Sequence, residues 1–294
     1  MNTKLLSLYG LKYNPFSQEV PIEALLPTTR LESFLWRIEN LQVREGGFAL
    51  VVGDPGSGKS AALRLVAERL NRLGEVTVGE FQHPQSNVAD FYRELGDVFK
   101  VQMQPHNRWA GFRVLRECWQ QHIDSTLMRP VVLVDEAQEM SPTVLTELRV
   151  LSSTRFDSRI ILTVVLAGDR RLLDRLRREE MLPVGSRLRT RLELDYADRD
   201  ELLGCLRHRL RAAGNASLMT PELMTTLVEH SAGNYRTVMN IGSELLAAAA
   251  QREASTIDEK LYFEVFAPPR PKPETAKAGR SQPRARSRNH PATS

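Results

Sequence analysis

Short apolar runs alternate with helical-period stretches along the first two thirds of this chain, and only helical periods follow. Phe48–Val52, Val76–Phe81, Val131–Val134 and Ile160–Leu166 are the apolar runs. Runs of this length predict strands buried on both faces, and intervening helices predict a parallel sheet. Helices are expected at Val88–Lys100, Trp109–Met128, Pro142–Leu151 and Arg170–Glu180, the last charged enough to be a solvated face. Upstream, Leu31, Phe34, Leu35, Ile38 and Leu41 mark a helix capped by Thr28 or Thr29 and stopped by Gly46-Gly47. Gly185–Leu194 alternates Arg with Leu and Thr, as an edge strand with one wet face does. Ser152–Arg159 is a polar turn. Beyond Asp198, helices open at Asp198, at Thr220-Pro221 and within Ala232–Arg236, the last running through Ala250, and a short one covers Ile257–Phe266. The expected division is an N-terminal segment and helix packed on the core (1–45), an α/β core (46–197), a helical lid (198–267) and a tail (268–294).

Chemistry concentrates where two of these strands end. Gly53-Asp54-Pro55-Gly56-Ser57-Gly58-Lys59-Ser60, followed by Ala61, has the G-x-x-x-x-G-K-[ST] spacing between a strand and a helix. Small residues let backbone N–H groups curl around phosphate oxygens, and the helix N-terminus adds partial positive charge. Lys59 would reach the β- and γ-phosphates, and the Ser60 hydroxyl would sit on Mg²⁺. Asp135-Glu136 ends the Val131 strand, where ligands collect in an open parallel sheet. Asp135 would hold Mg²⁺ through water, and Glu136 would polarise the attacking water. The pattern predicts a protein that binds a nucleoside triphosphate with Mg²⁺ and has a carboxylate placed to hydrolyse it.

Composition narrows the setting. The longest apolar stretch, Ile160–Ala167, is far too short to span a bilayer, and Met1–Leu11 lacks a leader pattern. The two cysteines, Cys118 and Cys205, have no partner motif and read as free thiols. The expectation is a cytoplasmic protein without direct membrane insertion. The six histidines show no metal-ligand spacing, and no second catalytic constellation supports metabolic chemistry. Net charge is +4, but from Pro268 onward seven basic residues face one acid, so the tail carries +6 and the remainder −2. Such a tail buries too little apolar surface to order itself; it is either a basic arm that holds polyanions such as DNA or a solvated end.

As an ordered set, the P-loop, the Asp-Glu strand end, the polar strand end at Asp169, the arginine turn and the lid with Gly233-Asn234-Tyr235-Arg236 resemble the AAA+ ATPases over roughly residues 5–267. Three stretches are similar to the ExeA-type branch: Tyr9–Ser17, Val132–Gln138 with its Asp-Glu-Ala-Gln, and Ser186–Arg191. That lineage includes secretion-pathway ATPases and ATP-binding proteins of mobile elements, related in role to Mu B, IstB and TnsC. The resemblance implies an arginine finger at Arg187 or Arg191, supplied in trans within a homo-oligomeric ring or filament. It implies a phosphate-reading lid residue at Arg236 and a first sensor at Asp169 or Thr163. Asn14-Pro15-Phe16 would flank the adenine or anchor the N-terminus. It further implies a transposition regulator that assembles on double-stranded DNA with ATP, mostly through phosphates, and recruits or activates a DDE-type transposase. Lys100, Arg108, Trp109, Arg155, Arg159 and the tail are the candidate DNA contacts. The alternatives are a secretion ATPase acting through a membrane or protein partner, and an ATP-dependent switch without DNA.

Overall fold

The computed structural model describes residues 3–102 and 107–267. In chain order the elements are α1 (Thr3–Leu8), α2 (Thr29–Arg37), α3 (Val43–Glu45), β1 (Gly47–Gly53), α4 (Lys59–Arg72), β2 (Val78–Phe81), α5 (Val88–Val98), α6 (Arg108–Thr126), β3 (Val131–Val134) and α7 (Pro142–Leu151). There follow β4 (Ser153–Thr154), β5 (Arg159–Ile160), β6 (Thr163–Gly168), α8 (Arg170–Leu176), α9 (Leu182–Gly185), β7 (Leu188–Leu194), α10 (Arg199–Ala212), α11 (Pro221–His230), α12 (Tyr235–Gln251) and α13 (Glu259–Val265).

The four apolar runs and the alternating edge strand form a five-stranded sheet in the order β2-β3-β6-β1-β7, every pair parallel. β1 is buried at all seven positions, as a strand covered by helices on both faces must be. α5, α6 and α7 cover one face around Phe91, Leu95, Leu115, Trp119 and Leu148. α2 and α4 cover the other, with Leu31, Phe34, Leu35, Val66 and Leu70 against Ala49, Val51 and Val165. β7 is the edge: Thr190 and Leu192 are buried while Arg189, Arg191 and Glu193 face out, the alternation visible in its sequence.

The segment expected to be a polar turn before β6 is instead a small antiparallel hairpin. Ser153 pairs with Ile160 and Thr154 with Arg159, and the Ile161 N–H donates to the Ser152 carbonyl at 2.8 Å. Ile160 is thereby taken into the hairpin, and the sheet strand starts only at Thr163, opposite Gly47 and Val131. At the hairpin tip Arg155, Phe156 and Asp157 all have positive φ, and the Phe156 ring is fully exposed.

The lid has a core of its own. Leu202, Leu206, Leu210, Leu223, Leu227, Val238 and Leu245 pack together, and Tyr9, Leu11 and Phe16 pack with them. The N-terminal segment is therefore divided: Tyr9, Leu11 and Phe16 join the lid, the part from Val20 onward packs against the sheet, and Tyr13 packs against both. Phe16 lies on α12 at Gly242, where an added Cβ would come within 2.5 Å of the ring. Arg209 of α10 fastens the same segment by donating to the carbonyls of Pro15 (3.1 Å) and Ser17 (3.2 Å). Gly242→Ala should therefore expel Phe16 and lower stability by about 1–3 kcal/mol, read in a thermal or urea melt of the lid.

Candidate functional site

Nearly every longer helix in the described chain starts under a side chain that accepts a hydrogen bond from its first turn. Thr28, Asn87, Asn107, Ser141, Asp169, Asp198, Thr220, Asn234 and Asp258 do this for α2, α5, α6, α7, α8, α10, α11, α12 and α13. α4 is different: its cap is Gly58, at φ 100°, with no side chain to offer. The first-turn N–H groups of Lys59, Ser60 and Ala61 thus keep their donor capacity and their share of the helix dipole. Gly53–Lys59 arches over them, tightened by the Ser57 N–H donating to the Asp54 carbonyl at 3.1 Å. The Lys59 ammonium lies across the arch, 2.9 Å from the Gly53 carbonyl oxygen and 3.3 Å from that of Asp54. The buried Ser57 hydroxyl has no partner among the described residues. Open donors, a buried ammonium and an unpartnered hydroxyl in one loop fit a polyphosphate.

The acids at the end of β3 meet this loop. Ser60 donates through its hydroxyl to Asp135 Oδ2 at 2.7 Å, while Asp135 Oδ1 accepts the Glu136 N–H at 2.9 Å. A hydroxyl and a carboxylate in contact fit Mg²⁺, which takes one or two protein oxygens together with phosphate and water. Glu136 has φ 50°, which turns the chain at the strand end into a short 3₁₀ turn over Ala137–Glu139. A cleft of 360 Å³ opens here, lined by Ser60, Arg64, Phe81, Gln82, Asp135 and Glu136. A second, of 280 Å³, lies on the other side of the loop among Thr28, Ser57, Asp195, Tyr196, Glu201 and Tyr235.

The lid rests directly on the loop. The Tyr235 N–H donates to the Gly56 carbonyl at 3.1 Å, and the Asn234 amide donates to the Pro55 carbonyl at 3.0 Å. A Cβ at Gly56 would collide with Asn234 Oδ1, 2.1 Å away. Arg236, next along α12, is exposed and makes no hydrogen bond or ion pair with the described residues.

The other sequence candidates are distributed unevenly. Arg187 sits at the entrance of β7, its carbonyl 3.3 Å from the Phe48 N–H, whereas Gly53 pairs with Leu194 at the exit. Six residues of strand separate those ends, roughly 20 Å at strand rise. The Arg187 guanidinium is bound there by Asp157 and by the Pro183 carbonyl. A hydrogen bond from Ser153, reinforced by Arg187 and Arg149, holds the Asp157 carboxyl below its usual range. Arg191 lies exposed beside Leu50, in mid-strand. Neither arginine stands at the P-loop of its own chain.

Thr163 is excluded from a sensing role, because it is buried at the entrance of β6 and donates to the Gln42 carbonyl at 3.0 Å. Asp169 does stand at the exit, but its carboxylate is turned to α8. It accepts the Arg171 N–H at 2.9 Å and pairs with that guanidinium at 2.8 Å. Arg170, assigned from sequence to a solvated helix, lies 3.4 Å from the Asp54 carboxylate of the loop. Asn14-Pro15-Phe16 is a packing anchor: Phe16 is buried in the lid, and Asn14 Oδ1 accepts the Phe16 N–H at 3.0 Å.

Among the DNA candidates, Arg108 is held by the buried Glu147, which Tyr92 also contacts; burial and that carboxylate push the Tyr92 hydroxyl pKa up. Arg159 pairs with Asp124 at 3.3 Å. Lys100, Trp109 and Arg155 remain exposed. The tail candidates lie outside the described residues. No helix of the described residues is long and apolar enough to cross a membrane.

Residues 42–176 match the family described as AAA domain. The chain is 29% identical over 253 residues to General secretion pathway protein A of Aeromonas hydrophila, covering 85% of this chain and 45% of that protein. It thus spans less than half the length of this relative. Among solved structures it is similar to the Aeropyrum pernix ORC2 protein in its ADPNP–ADP complexes, with a TM-score of 0.69 and 17% identity over 86% of this chain and 71% of that one. The Aeropyrum pernix ORC1 protein in complex with DNA gives a TM-score of 0.63 and 15% identity over 89% and 69%. Likeness at such identities concerns the fold. The parallel sheet flanked by helices and the loop at the end of β1 give this chain an α/β fold like that of AAA+ P-loop NTPases, and the match to the AAA domain spans residues 42–176.

Proposed function

We propose that this chain binds ATP with Mg²⁺, hydrolyses it to ADP and phosphate, and uses the nucleotide to control its own assembly on DNA. The observation that carries the reading is the Ser60–Asp135 contact under an uncapped α4, with Glu136 beside it. Gly53–Ala61 hold the phosphates through backbone N–H groups and Lys59. Ser60 and Asp135 would hold Mg²⁺, which would supply positive charge to the phosphate oxygens. Glu136 takes a proton from water as the water oxygen bonds to the γ-phosphorus and the bond to the β-phosphate oxygen breaks. Arg187 serves the neighbouring subunit, since it stands at the far end of the sheet from its own loop; Arg191 is the alternative. Arg236 reads the phosphate for the lid, and the Asn234–Pro55 contact passes that reading on.

At the level of biology, the reading is a regulator of transposition that marks target DNA and recruits or activates a DDE-type transposase. The ORC1 protein, similar in fold, was solved in complex with DNA. DNA contact falls to Lys100, Trp109, Arg155 and the basic tail. A second reading, a secretion-pathway ATPase with a membrane partner, is favoured by the named Aeromonas relative.

Lys59→Ala should weaken ATP binding at least about tenfold, measured by calorimetry, because a charge-assisted bond to phosphate is lost. Arg187→Ala should cut turnover by about 10³-fold. Mixing it with Lys59→Ala protein, which still carries the arginine, should restore part of the rate. Failure to recover on mixing would move the role to Arg191 or argue against action in trans.

The DNA reading is tested by anisotropy of a labelled duplex with a non-hydrolysable ATP analogue, ADP or no nucleotide, using the full chain and a chain ending at Ala267. Binding that requires the analogue and survives the truncation is the expected result. Binding that ignores nucleotide and disappears with the tail would reduce the contact to charge attraction. Absence of binding at low salt, with ATP occupancy established, would favour the secretion reading.

A further inference from the structure

Gln138 is buried, 5% exposed, three residues beyond the Asp135 strand end. Its two polar atoms have different partners. Oε1 accepts the backbone N–H of Asp169, at the exit of β6, at 3.2 Å. Nε2 donates to Glu136 Oε2. This pairing fixes which end of the amide is which. Flipped, it would set N–H against N–H at Asp169 and oxygen against carboxylate at Glu136. The approach to β6 depends on Gly168, because a Cβ there would lie 2.6 Å from Gln138 Oε1.

We propose that Gln138 is a positioning residue for hydrolysis. It ties one oxygen of the Glu136 carboxylate to the exit of β6 and leaves the other to take the proton of the attacking water. The inference rests on the reading of Glu136 as the base. Three observations support it. Glu136 is exposed and sits on a left-handed backbone, so its long side chain needs a tether to hold one pose. The described polar contacts of Gln138 go to that carboxylate and to the strand end, and to nothing else. The same strand end, one residue on, reaches the P-loop through the 3.4 Å contact of Arg170 with Asp54. A small displacement of the β6 exit therefore moves the base and touches the phosphate loop together. The place where AAA+ proteins were expected to offer a sensing side chain offers a main-chain N–H here, because the Asp169 carboxylate is bound to Arg171.

The experiment is steady-state ATP hydrolysis by the full chain, with nucleotide affinity measured separately by a fluorescent ATP analogue. The variants are Gln138→Met, Gln138→His, Glu136→Gln and the double variant Glu136→Gln/Gln138→Met. Methionine keeps the length and loses both hydrogen bonds. Histidine keeps a donor and an acceptor at similar spacing. The expectation for Gln138→Met is a kcat lower by about 10- to 100-fold, with KM and nucleotide affinity within about twofold, the cost of a misplaced catalytic group. Gln138→His should recover most of that loss. In the Glu136→Gln background, Gln138→Met should cost less than about twofold more, since it acts only through Glu136. Equal loss in both backgrounds, a loss carried by KM, or a histidine variant as slow as the methionine one would overturn the proposal in favour of packing. Full turnover by Glu136→Gln would instead overturn the assignment of the base. A slow Glu136→Gln beside an unimpaired Gln138→Met would overturn the role of Gln138 alone.

Discussion

The first turn of α4 leaves its backbone N–H groups without acceptors among the described residues, and much of the surrounding structure keeps them that way. Unpaired donors near a protein interior are costly, and every comparable helix in the described chain relieves the cost with a capping side chain. At α4 a glycine occupies the cap, Lys59 spans the arch from above, and the carboxylate nearest the turn, Asp135, is held by the Ser60 hydroxyl and the Glu136 N–H. The sheet core beneath has to be rigid for this to persist. β1 is buried throughout, between β6 and β7, so the loop leaves a strand that cannot shift without breaking two ladders.

Around that turn the side chains are ordered in a chain of contacts. Asp54 meets Arg170, Asp169 meets Gln138, and Gln138 meets Glu136. On the other side, Pro55 and Gly56 meet Asn234 and Tyr235. The loop is therefore read from two directions. One passes through the exit of β6, and the other through the first turn of α12.

Local chemistry was legible in the sequence. The spacing from Gly53 to Ser60, the apolar run before Asp135 and the caps at Thr28, Asp198 and Thr220 depend on near neighbours, and the structure has them in place. The alternation in β7 was legible too, since an edge strand writes its two faces into consecutive residues. What escaped was long-range. The pairing of Arg170 with Asp54 spans distant parts of the chain, and an arginine beside acids in sequence reads as a solvated helix. Arg108 looked like a phosphate contact because its buried acid, Glu147, lies in another helix. The hairpin β4–β5 was missed because it has two residues per strand and a polar composition. Gln138 carried a weak signal, a polar residue two positions after Glu136 and shortly before a helix, but its partner at Asp169 is a main-chain group that no sequence displays.

The N-terminal segment has one more consequence. Because Tyr9, Leu11 and Phe16 are built into the helical subdomain, the chain passes between that subdomain and the sheet twice: once after Phe16 on the way to α2, and again after β7 on the way to α10. A body on a single tether can swivel in any direction. With two it retains little more than rocking about the line that joins the crossings. That line fixes the plane in which Asn234 can approach or leave Pro55, so the range of postures open to the mouth of the site is set by residues outside the Gly53–Ser60 loop.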